Sequence, residues 1–427
     1  MKRGASRYEP LKPEGYQPRL IDAKLHHFLT NHSIVRLIGP HGAGKSWCAL
    51  AQGRSVISAA DESIRPMLES APERALSGGQ PPHVVDEWQA VPGLARAAAR
   101  SGKGPFLFVS SCDRHLDEEA ELRDAPTLRL WPYTLTESSV SNMSVSLTGL
   151  FSRDFYPMSC DVGIPELADL ICQGGWARVQ GLGGEAAARL NETTVQTVME
   201  GECARRKKRL PIALRVYCAL ASCGWRGTYD DFAEYMRSRG ERPFSRNTVR
   251  DYLRILEEAY LAYPLRGWQA PIRSSSRVRV KPRISFVDPS LPAMLLSQTP
   301  VELLGNAPAF LSLLRCLVLR DICAYASVLD AESEPSVRYY ADSDGGSADA
   351  VVTLADGRWG ALSVAIGEAQ VPETARGLVR LRSKIAKNPD AGCPAPSFLA
   401  VILASCDRPR LDRKTGVYVF PIGCLTA

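Results

Sequence analysis

The sequence has no run of about 20 consecutive apolar residues, the length that a helix needs to cross a bilayer. None of its 12 cysteines forms a C-x-x-C pair, and all six histidines lie at or before His115. Zinc fingers and histidine-based catalytic triads are therefore excluded from the long region after His115. The N-terminal segment is polar and contains prolines, so it gives no sign of a secretory signal. We expect a cytoplasmic protein with reduced cysteines and no membrane partner.

Length and charge indicate several domains and an acidic partner. A chain of 427 residues exceeds the usual size of one domain, which predicts roughly two to four domains. The net charge of +6 is unevenly distributed, because residues 201–290 contain 19 Lys and Arg against 9 Asp and Glu. Positive charge concentrated in one region favours binding to a polyanion such as nucleic acid.

A glycine-rich loop follows the first strand pattern of the chain. The apolar segment SIVRLI predicts a buried strand, SWCALAQ predicts a helix, and the residues between them fit G-x-x-x-x-G-K-[ST]. Backbone amides of such a loop cradle phosphates, while its lysine reaches the β- and γ-phosphates and its serine holds Mg²⁺. The alternative is a chance loop in a glycine-rich protein. The predicted ATP-binding residues are Gly39, Pro40, His41, Gly42, Ala43, Gly44, Lys45, Ser46 and Trp47, of which Pro40 and His41 are expected mainly to shape the loop.

An acidic pair follows a second apolar strand pattern. The segment PHVVDE ends in Asp86 and Glu87, and carboxyl ends of parallel strands lie at the ligand-binding edge of a sheet. We predict that Asp86 binds Mg²⁺ through water and that Glu87 polarises the attacking water. The alternative is a solvated strand end without a catalytic role.

Two further side chains are candidates for contacts with the nucleotide. The strand pattern PFLFVSS places Ser110 and Ser111 at its end, where a hydroxyl group could contact the γ-phosphate or the water. A strand that simply runs into a turn explains the same pattern. In ELRDAP, Arg123 could reach phosphate charge in its own chain or in a neighbouring copy, and it could equally be a surface residue.

The basic middle region has the pattern of a winged helix-turn-helix. Three helical segments end with FSRNTVRDYLRILEEAYLAYPL, in which Ser245 is a good N-cap and apolar residues recur at helical spacing. A basic stretch that resembles a hairpin follows, as a wing would. The predicted contacts with double-stranded DNA are Arg246, Asn247, Arg250, Arg254, Arg277, Arg279 and Lys281. The alternative is a packing module whose arginines are solvated, with a protein partner or self-association in place of DNA.

Several stretches together resemble a known family, the bacterial and archaeal AAA-type ATPases that join an AAA_14 P-loop domain to a C-terminal DUF4143 domain. The matching stretches are GPHGAGKS, ALSGGQPPHVVDEWQAVPGL, ICQGGWARV, FSRNTVRDYLRILEEAYLAYPLRGW, VKPRISFVDPSL, LVLRDICAYA and ADGRWGALSVAIG. The resemblance implies an α/β fold with an AAA-like parallel sheet, then a winged helix, then an α/β domain similar to PD-(D/E)xK nucleases. We accordingly predict segments 1–20 (a loose arm), 21–150 (ATPase), 151–200 (connecting helices), 201–290 (winged helix) and 291–427 (nuclease-like).

The chain departs from the family pattern at positions that matter for chemistry. Arg315 stands near an expected acidic residue, Ser347-Ala348-Asp349 replaces E-V-D, and Ser363-Val364-Ala365 replaces E-x-K. Clustered carboxylates are needed to hold the metal for phosphodiester cleavage, so we predict no nuclease activity. Val109-Ser110-Ser111 replaces T-G-S, and a shortened region before Phe106 leaves the role of Arg123 open.

Two functions remain compatible with these patterns. The first is a slow Mg²⁺-dependent ATPase that acts as a conformational switch, coupled to a basic DNA-binding module and an inactive nuclease-like domain. The second is a nucleotide-dependent DNA-binding regulator or protein adaptor with little hydrolysis. An arginine supplied by a neighbouring copy would require an oligomer.

Overall fold

A computed structural model describes residues 10–224, 228–270, 278, 281–333, 335–388 and 392–427. The chain divides into two compact units. Unit 1 contains Met1–Trp131 and Glu258–Tyr260, and unit 2 contains Pro132–Glu257 and Leu261–Ala427. The finer subdivision into five segments stays a prediction.

Unit 1 contains a parallel sheet with helices in the connections. Its strands are β1 (Ile34–Ile38), β2 (Ser55–Ser58), β3 (His83–Asp86), β4 (Phe106–Ser110) and β5 (Thr127–Arg129). Its helices are α1 (Asp22–Asn31), α2 (Lys45–Leu50), α3 (Arg65–Ser70), α4 (Pro72–Leu76), α5 (Leu94–Ser101) and α6 (Ala120–Arg123). The strand order is β2-β3-β4-β1-β5, and every neighbouring pair is parallel. Such pairs need crossover connections, which the intervening helices supply.

Four apolar segments, SIVRLI, PHVVDE, PFLFVSS and TLRLWPY, predict strands in this region, and they are present as β1, β3, β4 and β5. Strand β2 was not predicted, because its short segment SVIS is half exposed along its length and lacks a strong apolar signal. Apolar clusters cover both faces of the sheet, one around Leu37 and Val109 and the other around Val85 and Phe108. Buried parallel strands of this kind read as continuous apolar runs, which is why the sequence reveals β1 and β4.

The segment before α1 has contacts with the rest of unit 1 over its described part. The Leu11 N–H donates to the Gly53 carbonyl at 2.8 Å, and Arg19 is only 5% exposed. A polar segment with several prolines gives no sign of such contacts, because they involve residues distant in sequence.

Unit 2 begins with helices and a short hairpin. The helices are α7 (Leu147–Ser152), α8 (Ile164–Gln173), α9 (Gly184–Arg205), α10 (Leu210–Cys223), α11 (Tyr229–Ser238), α12 (Arg246–Glu258, whose last residue groups with unit 1), α13 (Ser290–Leu295) and α14 (Pro300–Leu304). Strand β6 (Val145–Ser146) lies beside the C-terminal β15 (Leu425–Thr426), and β7 (Ala262–Leu265) pairs antiparallel with β8 (Arg283–Phe286).

Helix α12 begins where the sequence indicates. The Thr248 N–H donates to the Ser245 hydroxyl at 3.1 Å, which satisfies one of the free amides at the helix start. Of the predicted apolar stripe, Val249, Leu256 and Tyr260 are buried, while Leu253 is partly exposed.

The C-terminal part of unit 2 is a mixed sheet with two long helices. Its strands are β9 (Ser336–Ala341), β10 (Ser347–Thr353), β11 (Trp359–Ala365), β12 (Phe398–Leu403), β13 (Arg410–Asp412) and β14 (Val417–Pro421), and its helices are α15 (Ala307–Ala326) and α16 (Val371–Ala386). The strand order is β13-β14-β12-β11-β10-β9. The sequence predicts a helix over Phe310–Val328, which is present as α15, and strands in SVRYY, DAVVTLA, GRWGALSVAI, PSFLAVILAS and GVYVFPI, which are present as β9, β10, β11, β12 and β14. It predicts neither the exposed β13 nor the amphipathic α16.

Segments that are distant in sequence meet in a buried ionic cluster of unit 2. Arg320 is 2% exposed and donates to Asp288 and Asp321, each at 2.8 Å. The Gly175 N–H also donates to Asp288 at 2.9 Å, and the Leu135 N–H donates to Asp321 at 3.1 Å. The cluster therefore links four parts of the unit.

Candidate nucleotide-binding site

The loop between β1 and α2 has a backbone shape that depends on glycine. Gly44 precedes α2 with φ at 96°, a left-handed conformation that residues with a Cβ rarely adopt. A Cβ on Gly39 would collide with the backbone carbonyl of Leu130. Side chains at either position would therefore change the path of the loop.

Lys45 is folded back over its own loop. It is 5% exposed, and its Nζ donates to the Pro40 carbonyl at 2.9 Å. Burial lowers the pKa of Lys45, and the nearby carboxylates of Glu87 and Asp86 oppose this effect. The loop lysine and the acidic pair thus lie in one electrostatic environment, although about 40 residues separate them in sequence.

Ser46 and Lys45 lie near Asp86 at this end of the strands. Burial raises the pKa of Asp86, and the nearby Ser46 hydroxyl and the charge of Lys45 oppose this rise. Strand β4 lies between β1 and β3, and pairs with both in parallel register, so the ends of all three strands meet at one edge.

Glu87 is held by two neighbouring side chains. The Ser111 hydroxyl lies 2.9 Å from Glu87 Oε2 and 3.1 Å from Oε1, and Gln89 Nε2 also donates to Oε2. Glu87 itself has φ at 51°, a left-handed conformation that is uncommon for residues other than glycine. Such conformations persist where the surroundings over-determine them, often at functional sites. Sequence patterns named Ser111 as a candidate but gave no role to Gln89.

Two buried polar atoms beside these groups have no hydrogen-bond partner among the described residues. They are the hydroxyl of Ser110, which is fully buried, and Oε1 of Gln89, which is 6% exposed. Ser110 pairs in register with Ile38, the last strand residue before the loop. Buried polar groups are normally satisfied, so each of these atoms would be stabilised by a polar ligand or a water.

Arg19 supports the loop from the N-terminal side, and the sequence gave no signal for it. Its guanidinium donates to the carbonyls of Ala43 and Trp131, each at 2.8 Å. Tyr16 and Cys48 both donate to Asp22, next to this contact. The loop is thus braced by residues that precede β1.

The remaining predicted nucleotide contacts differ in exposure. Pro40 and Ala43 are buried, Gly42 is partly exposed, and His41 and Trp47 are exposed, with Trp47 at 50%. Arg123 is exposed at the end of α6, with no ion pair among the described residues. Its exposure leaves both predicted roles possible, a phosphate contact and a surface arginine.

The predicted DNA contacts on α12 are exposed. Arg246, Asn247, Arg250 and Arg254 all lie on the solvent side of the helix. Arg246 lies 3.7 Å from Asp230, and Arg250 donates to Asn247 at 3.3 Å. Lys281 is also exposed, whereas Arg277 and Arg279 lie outside the described residues.

Asp349, on β10, is buried and paired with a cation. Asp349 is 1% exposed and accepts hydrogen bonds from the Val364 N–H at 2.8 Å and from Arg315 Nε at 3.3 Å. Arg315 therefore supplies a fixed positive charge beside Asp349. In the part of the chain that the structure describes, no three His, Cys, Asp or Glu side chains are grouped to hold a metal.

Over the same described ranges, no helix combines the length and the apolarity required to traverse a bilayer. All 12 cysteines lie in the described ranges, and none of them forms a disulfide there.

Comparison with known proteins gives remote similarities. Residues 164–302, less than half of the chain, match the model of a domain of unknown function, DUF8612. The match is not to DUF4143, so that resemblance stays a prediction. No curated protein sequence matches the chain.

Three archaeal structures illustrate the structural similarity. The Walker-type ATPase PABY2304 of Pyrococcus abyssi has 13% identity and a TM-score of 0.39, with 68% of this chain and 99% of that chain covered. The ORC2 protein of Aeropyrum pernix, in ADPNP–ADP complexes, has 13% identity and a TM-score of 0.31, with coverages of 69% and 95%. The ORC1 protein of the same organism, in complex with DNA, has 15% identity and a TM-score of 0.26, with coverages of 68% and 95%. Similarity at these values is too remote to assign a function.

Proposed function

We propose that the chain binds ATP and hydrolyses it slowly with Mg²⁺, as a conformational switch. The observation that carries this proposal is the register of β4, which pairs Ser110 with Ile38, the last strand residue before the glycine-rich loop, and pairs Val109 with Asp86. This register brings the two sequence patterns to one edge of the sheet. Lys45 and Glu87 lie in the same environment, so the four residue types that phosphoryl transfer requires are close together.

The residues at this edge of the sheet fit a magnesium ion. Mg²⁺ prefers oxygen ligands, keeps several waters, and is usually bound by one or two protein groups together with phosphate oxygens. The Ser46 hydroxyl and the Asp86 carboxylate would hold it, Asp86 through water. When bound, the ion neutralises charge that develops on the phosphates.

The chain's own side chains supply positioning and proton transfer. Lys45 exchanges the Pro40 carbonyl for phosphate oxygens, while amides of the loop donate to the same phosphates. Glu87 accepts a proton from the attacking water, and Ser111 fixes the direction of its carboxylate. The Ser110 hydroxyl, which lacks a partner in the described part of the chain, is a donor for phosphate or water. Arg123 remains a candidate for a phosphate contact.

The direct test is ATP turnover by the full chain with and without duplex DNA. Glu87→Gln keeps the shape of the side chain and should bind ATP with an affinity like that of the wild type. It should turn ATP over slower by roughly 10²-fold or more, because the general base is removed. Equal turnover in the two proteins contradicts the role of Glu87. Absence of any heat with ATP and Mg²⁺ in calorimetry overturns the whole proposal.

A DNA-binding regulator with little hydrolysis is the second candidate. Three helices, α10 to α12, precede the β7–β8 hairpin, which is the order of elements in a winged helix. In such a module the third helix enters the major groove, and the exposed arginines of α12 are on the solvent side of that helix.

This candidate is tested by duplex binding over a range of salt concentrations. Binding through phosphates weakens steeply as salt rises. Reversal of Arg246, Arg250 and Arg254 to Glu should abolish binding by this module. Duplex affinity that is unchanged by the reversal would favour a role for the same surface in protein contacts.

We also propose that the C-terminal part of unit 2 has a nuclease-like fold without nuclease activity. The support is the pairing of Asp349 with Arg315, since a guanidinium next to the carboxylate opposes binding of a cation there. The wild-type chain should show no Mg²⁺-dependent cutting of DNA. Detectable cutting that disappears in Asp349→Ala would overturn this assignment.

A further inference from the structure

The outer face of α16 carries a line of positive charge. The residues of the helix that face the sheet are apolar or small: Val371, Ala375, Gly377, Leu378, Leu381 and Ile385. Arg376, Arg380 and Lys387 are exposed on the opposite side. At a rise of about 1.5 Å per residue, these three cations span roughly 16 Å along the helix axis.

The turn between β13 and β14 lies beside α16 and carries further positive charge. Thr415, in that turn, lines a shallow groove together with Arg376 and Arg380. A Cβ on Gly416 would lie 3.1 Å from the guanidinium of Arg382. Arg413 and Lys414, in the same turn, are exposed. We name the set the α16 basic surface: Arg376, Arg380, Arg382, Lys387, Arg413 and Lys414.

Three acidic residues near this surface are engaged by other groups, while Glu373, in the first turn of α16, is exposed beside Arg376. Lys384, at the edge of the groove, binds both Asp342 at 2.6 Å and Asp344 at 3.0 Å. Asp412 accepts from the Thr415 hydroxyl at 2.6 Å and from the Lys414 N–H at 3.1 Å. Within the described ranges of the chain, no residue of the α16 basic surface forms an ion pair, so its positive charge is not neutralised internally.

We propose that the α16 basic surface binds the sugar–phosphate backbone of duplex nucleic acid without regard to sequence. Duplex DNA carries one charge per 3.4 Å of axis on each strand, so a row of roughly 16 Å spans about five phosphates. Arginine and lysine are the side chains that neutralise phosphates in such contacts. The proposed DNA contacts described above lie on α12 and the stretch that follows it, so this is a second and separate surface.

The composition of the groove favours a duplex over other polyanionic partners. It contains no aromatic side chain on which the bases of a single strand could stack. Its apolar residues are Pro372 and Val379. A helix that enters the interface of a bilayer does so with a much broader apolar face.

The test uses the full chain and a short DNA duplex of random sequence, with binding measured by fluorescence anisotropy across a salt series. The triple variant Arg376→Glu, Arg380→Glu and Lys387→Glu should lose at least tenfold in affinity at low salt. The slope of log K against log salt should fall by about 3, because each lost phosphate contact contributes roughly 0.9. Thermal unfolding and ATP binding should stay at wild-type values, because the changed side chains are exposed.

A charge-matched control separates a local surface from the effect of net charge. Arg74→Glu, Arg100→Glu and Arg189→Glu change three exposed arginines elsewhere and should leave the salt slope unchanged. An equal loss in the control, or wild-type affinity and slope in the α16 variant, overturns the proposal. The α16 variant could keep its affinity for duplex DNA and lose only its affinity for single strands or RNA duplexes. That result also overturns the proposal for DNA. Absence of ATP binding, or a duplex affinity that is unchanged by the α12 reversal, would not affect this result.

Discussion

Lys45 donates its ammonium hydrogen to the carbonyl of Pro40, 2.9 Å away, at the start of the same loop. A buried ammonium group needs a hydrogen-bond partner, and this carbonyl supplies one. Burial also lowers the pKa of Lys45. Because the acceptor is an uncharged carbonyl, this hydrogen bond is weaker than a hydrogen bond to an anion. A nucleotide phosphate would compete for the same hydrogen.

From this contact we expect Lys45→Ala to bind ATP at least 100-fold more weakly than the wild type, equal to about 2.7 kcal/mol. Isothermal titration calorimetry with ATP and Mg²⁺ measures the loss. Lys103→Ala removes an exposed lysine of the same unit and serves as the control. Similar affinities in both variants would show that Lys45 does not contact the nucleotide.

Ser111 provides a test of how Glu87 is positioned. The Ser111 hydroxyl donates to the Glu87 carboxylate at 2.9 Å, so Ser111→Ala frees that carboxylate to rotate. Turnover should fall by roughly tenfold, which is less than the 10²-fold or greater effect of removing a general base. ATP affinity should stay within about twofold of the wild-type value. Ser58→Ala, at the exposed end of β2, should change neither quantity. A loss of affinity that matches the loss of turnover would instead indicate a direct contact between Ser111 and the nucleotide.

The parts of this site that sequence reveals are those encoded locally. The glycine spacing and the DE pair each form a short pattern, so Lys45 and Asp86 could be named without a structure. Arg19 and Gln89 could not, because their roles depend on partners that the fold brings near, such as the Ala43 carbonyl and the Glu87 carboxylate. Likewise α16 was not predicted. Its exposed face is polar, and its apolar face can be recognised as buried only when the sheet that it packs against is known.

The segments FVDPSL and LVLRDICAYA show the same limit, because nothing in either one indicates that they meet. The structure places Asp288 and Asp321 on either side of Arg320, in a cluster closed to solvent. The partners of Arg320 therefore depend on the packing of unit 2.

Removing one member of this cluster should destabilise unit 2 strongly. Arg320→Met keeps a similar volume but leaves two buried carboxylates without their cation, at a cost of about 3–5 kcal/mol. Chemical denaturation followed by far-UV circular dichroism measures the change. Arg358→Met is the matched control, because its ion pair with Asp356 is about half exposed and should contribute less than about 1 kcal/mol. Equal losses would mean that the buried cluster contributes no more than a surface pair.

The pair between Lys384 and Asp342 predicts a dependence of stability on pH. Burial alone would raise the pKa of Asp342, but hydrogen bonds from Lys384, Tyr340 and the backbone lower it overall. The unfolded chain therefore binds a proton at a higher pH than the folded chain does. The stabilisation is fully present above the unfolded pKa of about 3.9 and is lost as pH falls through the folded value.

Lys384→Met removes the largest of the contributions that lower this pKa, so its stability should fall less steeply than that of the wild type as the pH falls below about 4. The apparent melting temperature measured over a series from neutral to acidic pH gives the comparison. Lys387→Met, on the same helix and without an ion pair in the described structure, should follow the wild-type curve. Because Lys384 also binds Asp344, a loss at neutral pH is expected as well, so the discriminating quantity is the slope of stability against pH. Parallel curves for all three proteins would show that Asp342 keeps its low pKa without Lys384.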